Sequence, residues 1–471
     1  MKRSFLYILT ALLLPFISSC FKDKGNYDYT TLGTPVITNL DTAYTVFTGD
    51  SLIITPKIVL PEGRTDLTCN WKIDIPQEAR SEDFEGLSLR MLYGLGSKRY
   101  NATLIVSDNG IGMKYYYKFV INGKTEFTTG TVVLSDDDGQ AKLSFIKPDG
   151  TVQPDLYAAI NGEDLGKKPL QIVPLRNQYY MNVNFAYWIV CAEGTNPAVQ
   201  VNSDDLKKMK YLKENFYDPP GDIHPSYFQR LYDGTTTAIL NDKMYVGTIE
   251  TAPFGTYYGY FSNPIGGNYT LAPDLIYAST DRGLYYLGFD KVKKSFLRFD
   301  RTTYFGTDYT QQDSLFNPKD LKMDLIEMEK LTENDVYAFC DSVGKVFELR
   351  FALEFLDGKS RFITTSKRRF KGDSLLTADT KWQSSTLGVF YFTSNDKIYR
   401  YNPLNQELRL LDANFSGKAV TMIKVMDDVN KLVVGTQGSL YVLDVSTGKN
   451  GNIVSQSHNI PGKIVDVFIR Q

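Results

Sequence analysis

The chain has 471 residues, with 52 Lys and Arg against 54 Asp and Glu, a formal net charge of −2, and charges interspersed along its length. That length allows two or more domains with sizeable cores, and the lack of a basic tract argues against nucleic acid as a partner, because phosphate binding needs grouped Lys and Arg. Two histidines and four cysteines leave little material for a zinc site, a histidine triad or a disulfide framework, so no metal and no cofactor is expected.

The chain begins "MKRSFLYILTALLLPFISSCFKDKGNYDY". Lys2 and Arg3 form a positive start, and Phe5 to Ile17 is apolar except for Thr10. As a helix this run would reach roughly 20 Å, short of a bilayer core of about 30 Å, so it reads as a signal-peptide core. Small residues Ser18 and Ser19 then precede Cys20, which fits a loose bacterial lipobox. Residues 1–19 are expected to be a lipoprotein signal peptide, with Cys20 carrying the lipids. A diacylglyceryl thioether plus an acyl chain on the freed amine exceeds the two signals that stable membrane anchoring needs. Without the leader the mature chain carries 50 basic and 54 acidic residues. Residues 20–34 are polar and Gly-containing, and read as a lipidated tether.

Residues 35–130 contain alternating runs, among them "SLIITPKIVL", "CNWKID", "ATLIVSD" and "KYYYKFVI", separated by turn signals such as "LPEG" and "SDNG". Strands at that spacing point to a β-sandwich. Trp71 is the expected inter-sheet core residue, and Cys69 beside it has no evident disulfide partner. Cys69, Cys191 and Cys340 are expected to be buried free thiols. "SDDDGQ" (Ser135 to Gln140) has a calcium-loop look, but the EF-hand pattern would need an acid at Leu134 and a Glu at Phe145, so a hairpin turn is expected there.

Residues 131–471 show a longer-period pattern. "DLIYASTDRGLYYLGFD", "DVYAFCDSVGKVFELRF", "GVFYFTSNDKIYRYN" and "KLVVGTQGSLYVLDV" each place an apolar strand, a polar turn and a second strand bearing an aromatic: Tyr285, Phe347, Tyr399 and Tyr441. "AILNDKMYVGT" adds Tyr245, and the successive gaps are 40, 62, 52 and 42 residues. A basic period of about 40–50 residues marks a four-stranded propeller blade. The expected fold is therefore all-β, an N-terminal β-sandwich followed by a C-terminal β-propeller of about seven blades. The repeated aromatics would fill the space between blades. "KIVDVFIR" (Lys463 to Arg470) has no hairpin partner after it and should return to pair with "GTVVLSD", closing the ring and removing exposed edges. "PKDLKMDLIEMEKLTEND" is the best helical candidate, part of which could equally be strand.

Two loops are rich in aromatics. In "APFGTYYGYFSNPIGGNYT" (Ala252 to Thr270), Tyr257, Tyr258, Tyr260 and Phe261 sit among Gly, Pro and Asn, and are the expected ligand contacts, since flat rigid rings on loops suit recognition. The alternative is that these rings pack back on the propeller. "ENFYDPPGDIHPSYFQRLYDG" (Glu214 to Gly234) is a second such loop. No G-x-S-x-G or H-E-x-x-H motif occurs, so no catalytic residue is assigned.

"CFKDKGNYDY" resembles the start of Bacteroidetes surface lipoproteins of the PKD-like family, through Cys20, Lys22, Asp23, Lys24, Gly25, Asn26, Tyr27, Asp28 and Tyr29. "ATLIVSDNGIGMKYYYKFVI" is similar to the strand, V-x-D-x-x-x-G turn and strand of a PKD-type sandwich, and "GTVVLSDDDGQAKLSFI" to the family's junction into its C-terminal half. The resemblance implies an outer-membrane, lipid-anchored, surface-exposed protein working beside a SusC/SusD-like TonB-dependent nutrient importer. It would bind peptide or glycan, or the importer itself, without catalysis. The alternative is a surface hydrolase of peptides or glycans using propeller carboxylates, because acid–base hydrolysis needs only a placed carboxylate pair.

Overall fold

The computed structural model describes residues 33–177, 183–231, 234–248, 259–280, 283–332, 335–356, 359–426 and 428–470. The fold is all-β, with an N-terminal PKD/Ig-like sandwich followed by a propeller. Cys20 and the expected signal peptide lie outside the described residues.

In the sandwich, one sheet runs Ala43–Phe47, Met113–Lys124, Arg99–Asp108, Leu67–Ile75, Arg80–Glu85, with the first pair parallel. Two short pairs accompany it, Val36–Thr38 with Lys57–Val59 and Ser51–Ile54 with Leu89–Leu92. Strict alternation along Leu67–Ile75 puts Cys69, Trp71, Ile73 and Ile75 on the buried face. Trp71 is fully buried as expected, its ring edge-on to Phe119 and its indole N–H donating to the Gly86 carbonyl at 2.9 Å. Asp108 of the "VSDNG" turn is also fully buried, and the Arg64 Nε donates to its Oδ2 at 2.7 Å. Cys69, Cys191 and Cys340 are buried and unpaired.

The propeller begins with the hairpin Gly130–Asp137 and Gln140–Ile146. Its two-residue turn has Asp138 and Gly139 at φ 51° and 88°, the left-handed pair that a tight hairpin demands. "SDDDGQ" is therefore a hairpin turn. The end of the strand Asn452–Arg470 pairs antiparallel with this hairpin, from Gly130 opposite Arg470 to Asp136 opposite Lys463. The closing strand anticipated from "KIVDVFIR" thus lies where the sequence put it.

Further sheets follow in chain order. Lys167–Asn177, Val183–Glu193, Ala198–Asn202 and Lys208–Tyr211 form one; Pro225–Arg230, Thr236–Leu240 and Lys243–Val246 the next; then Leu271–Thr280, Gly283–Asp290, Ser295–Phe299 and Tyr304–Gly306. Asp324–Thr332, Asp335–Ser342, Lys345–Leu356 and Lys359–Arg369 come next, then Trp382–Ser385 to Glu407–Leu410, and last Val420–Val425, Lys431–Asp444 and the start of Asn452–Arg470. The first strand of each touches the first strand of the next, and both Val420–Val425 and Lys167–Asn177 touch Asn452–Arg470, so the ring closes.

Hydrophobic clusters sit between consecutive sheets, because one sheet cannot bury both faces alone. Tyr285 and Phe347 share one such cluster, Tyr245 lies in another, Tyr399 packs on a third and Tyr441 on a fourth. The repeated aromatics are therefore inter-sheet core. The helical reading of "PKDLKMDLIEMEKLTEND" is corrected: Asp324–Thr332 is a strand of the inner ring, with Met328 in the core between two sheets. Its apolar residues fit either period, and tertiary pairing decided.

Candidate functional site

Where Lys167–Asn177, Val420–Val425 and the C-terminal strand meet, they enclose a cavity of about 620 Å³ whose rim includes Ser97 of the sandwich. This is the size range that encloses a small ligand, roughly 300–1,000 Å³. One carboxylate pins the three strands together. Asp466 accepts from the Ile172 backbone N–H at 2.8 Å and from Lys424 Nζ at 2.7 Å, while Lys424 also donates to the Val467 carbonyl at 2.7 Å.

A second carboxylate seats the sandwich on the rim. Asp204 Oδ2 accepts from the Ser97 backbone N–H at 3.0 Å, the Ser97 hydroxyl donates to Oδ1, and Arg470 lies 3.7 Å from Oδ1. A Cβ on Gly96 would sit 2.5 Å from Asp204 Oδ2, so a glycine permits this approach.

Between Leu175 and Arg176 the pairing of Lys167–Asn177 with Val183–Glu193 shifts register, leaving Arg176 opposite Asn184. Such a bulge re-aims side chains, and both residues line the cavity. The Arg176 guanidinium lies 5.9 Å from the Phe468 ring centre, and among the described residues no carboxylate pairs with it. The Asn184 side chain has both Oδ1 and Nδ2 buried, with the Tyr187 hydroxyl beside the amide. Met426, Val433, Phe468 and Ile469 supply an apolar wall.

A smaller cavity, about 210 Å³, is formed by other strands of the ring: Pro225–Arg230, Leu271–Thr280 and Asp324–Thr332. It holds three carboxylates, Asp274, Glu327 and Glu329, with Tyr227, Gln229 and Tyr277. Glu327 and Glu329 are two residues apart on one strand and so share a face. Burial pushes Asp274 up to about 7, helped by the charge of Glu329. Burial also lifts Glu327 well above the ordinary range, with Asp274 and Glu329 adding to it, and lifts Glu329 against a bond from the Ser384 hydroxyl at 2.8 Å. By accessible surface the three are half-buried, since the cavity admits solvent; protein packed around them on nearly every side sets the desolvation. Among the described residues no cluster of three or more His, Cys, Asp or Glu is arranged to hold a metal ion.

The aromatic loop divides. Tyr257 and Tyr258 lie outside the described residues. Tyr260 is half-buried, with its ring 5.6 Å from Tyr217 and Lys210 Nζ 4.9 Å above it. Phe261 is fully buried among Phe216, Phe228 and Tyr245; the expectation of a ligand contact is corrected for this residue, whose backbone bridges to Phe216 and Gly247 and draws the ring into the core. In the second loop Phe216 is core, and Tyr217 is exposed.

Arg176, Asn184, Lys424 and Arg470 were not singled out by sequence. The available signal was a charged residue among apolar neighbours, Lys424 in "VTMIKV" and Asp466 in "KIVDVFIR".

Residues 20–169 match the PKD-like family. No curated protein matches the sequence. Among solved structures, the chain is similar to a quinonprotein alcohol dehydrogenase-like protein from Bacteroides thetaiotaomicron, with 14% identity over 93% of this chain and 99% of that one and a TM-score of 0.45. It is also similar to the extracellular domain of a putative one-component system from B. thetaiotaomicron (9% identity, 79% and 54% covered, TM-score 0.39) and to a protein of unknown function from Bacteroides caccae (11%, 61% and 100%, TM-score 0.34).

Proposed function

We propose that this is a lipid-anchored, cell-surface accessory protein of a SusC/SusD-like nutrient importer, whose propeller holds cargo without transforming it. The cavity at the sandwich–propeller junction carries the reading: it is ligand-sized, half apolar, and lined by the buried amide of Asn184 beside the Tyr187 hydroxyl and by Arg176, which has no carboxylate partner among the described residues. Buried polar groups are normally hydrogen-bonded, so such a pair is suited to a polar guest. The lipobox at Cys20 and the PKD-like match over residues 20–169 support surface anchoring. The inter-sheet clusters, followed in chain order, fit a ring of seven blades. Palmitate labelling of Cys20 and gentle-detergent pull-down from native membranes test the assignment. Co-isolation of a TonB-dependent barrel with its lid lipoprotein is expected, and a lone, unlabelled chain would overturn it.

The second reading, a surface hydrolase, is favoured by one observation, the three desolvated carboxylates of the smaller cavity. Raised carboxyl groups are what general acids require. Turnover of mixed peptides or glycans that Glu327→Gln abolishes would establish it; absence of turnover in the wild-type chain would remove it.

A further inference from the structure

Resting on the reading of the junction cavity as a binding site, we propose that its cargo is a short peptide captured by its free C-terminal carboxylate, with Arg176 as the anchor and Asn184 as the group that reads the adjoining peptide unit. The positive charges around the cavity are not equivalent. Lys424 is committed to Asp466 at 2.7 Å, and Arg470 sits by Asp204 with its Nη1 donating to the Ser203 carbonyl. Arg176 alone of the three has no acidic partner among the described residues, so it leaves one uncompensated positive charge facing the space. A guanidinium is a planar fork that meets a carboxylate with two parallel bonds.

Directly across the strand pair stands Asn184. Its Oδ1 and Nδ2 are both buried, beside the Tyr187 hydroxyl, and the amide sets one acceptor next to one donor, the complement of a backbone N–H and C=O. A peptide C-terminus offers a carboxylate and, one bond series away, that amide pair. Met426, Val433, Phe468 and Ile469 form an apolar part of the wall, which suits apolar side chains. Sugar rings stack on open aromatic faces; Phe468, the one aromatic among the described lining residues, is already approached by Tyr187 at 5.3 Å and by Arg176. A peptide is therefore favoured over an acidic glycan.

The experiment is calorimetric titration of the mature chain with Ala-Leu-Leu, its C-terminal amide, and a uronic-acid trisaccharide. The free acid should bind, and the amide should bind roughly ten- to a hundredfold more weakly, the range of a charge-assisted hydrogen bond. Arg176→Gln should bring the acid down to the level of the amide, and Arg176→Lys should recover part of the difference. Met426→Trp, which fills the cavity, should weaken acid and amide alike. Circular dichroism and melting curves confirm that each variant folds. Acid and amide binding equally, both lost in Met426→Trp, would overturn the carboxylate anchor while leaving the cavity as a binding site. Preference for the uronate would overturn the peptide assignment. Peptide binding untouched by Met426→Trp, or no binding by any probe, would overturn both the anchor and the cavity reading.

Discussion

Asp274 shows how a single group can tie stability to pH. Its folded-state pKa is raised to about 7 by burial and by Glu329, against about 3.9 in an unfolded chain. The folded protein thus binds the proton more tightly. This contribution is fully present below the unfolded value and is lost as pH rises through about 7. Melting temperature should fall between pH 5 and pH 8, and Asp274→Asn should flatten that slope and raise the melting temperature at pH 8 by a few degrees. A slope unchanged in the variant would place the origin elsewhere. Glu348 is a contrasting residue, fully buried and held by Arg368 Nη2 at 2.6 Å and by the Tyr401 hydroxyl. Arg368→Ala would strand that carboxylate and should cost about 3–5 kcal/mol in denaturant melts, less at pH 5, where Glu348 can take up a proton. These residues were not legible in the sequence. Arg176, Lys424 and Arg470 lie far apart along the chain, and only ring closure brings their strands together. Trp71, by contrast, announces itself through its immediate neighbours.

At the scale of strands and sheets, the aromatic spacing carried the information. Tyr245, Tyr285, Phe347, Tyr399 and Tyr441 recur because each blade must present a large side chain to its neighbour. The Tyr285 hydroxyl even donates across to the Leu353 carbonyl of the next sheet at 2.7 Å. The Trp382 ring stacks 4.3 Å from Phe339 of the neighbouring sheet and 5.0 Å from Phe392 of its own. Trp382→Ala should cost about 3–5 kcal/mol, measured by chemical unfolding, and a loss below about 1 kcal/mol would mean the joint repacks. The sequence misled where an element's pattern fitted two periods. Asp324–Thr332 has apolar residues at 325, 326, 328 and 331, compatible with a helix until its pairing with Asp335–Ser342 is known. Phe261 misled differently, since a glycine- and proline-rich setting says loop and does not say which ring turns inward.

For the whole molecule, the C-terminal strand both closes the ring and builds the cavity. Lys463–Arg470 pairs with the first hairpin, supplies Asp466 to clamp its neighbours, and contributes Phe468 to the wall. Removing residues 463–471 should abolish cooperative melting, by opening the ring; an unchanged transition would show that closure is dispensable. The sandwich touches the same rim through Ser97 and Asp204, so the proposed ligand site, ring closure and domain seating meet at one place. Hydrogen–deuterium exchange on the mature chain, with and without Ala-Leu-Leu, tests that convergence most directly. Protection is expected in Lys167–Asn177, Val420–Val425 and residues 463–470; protection confined to residues 252–270, or none anywhere, would contradict it.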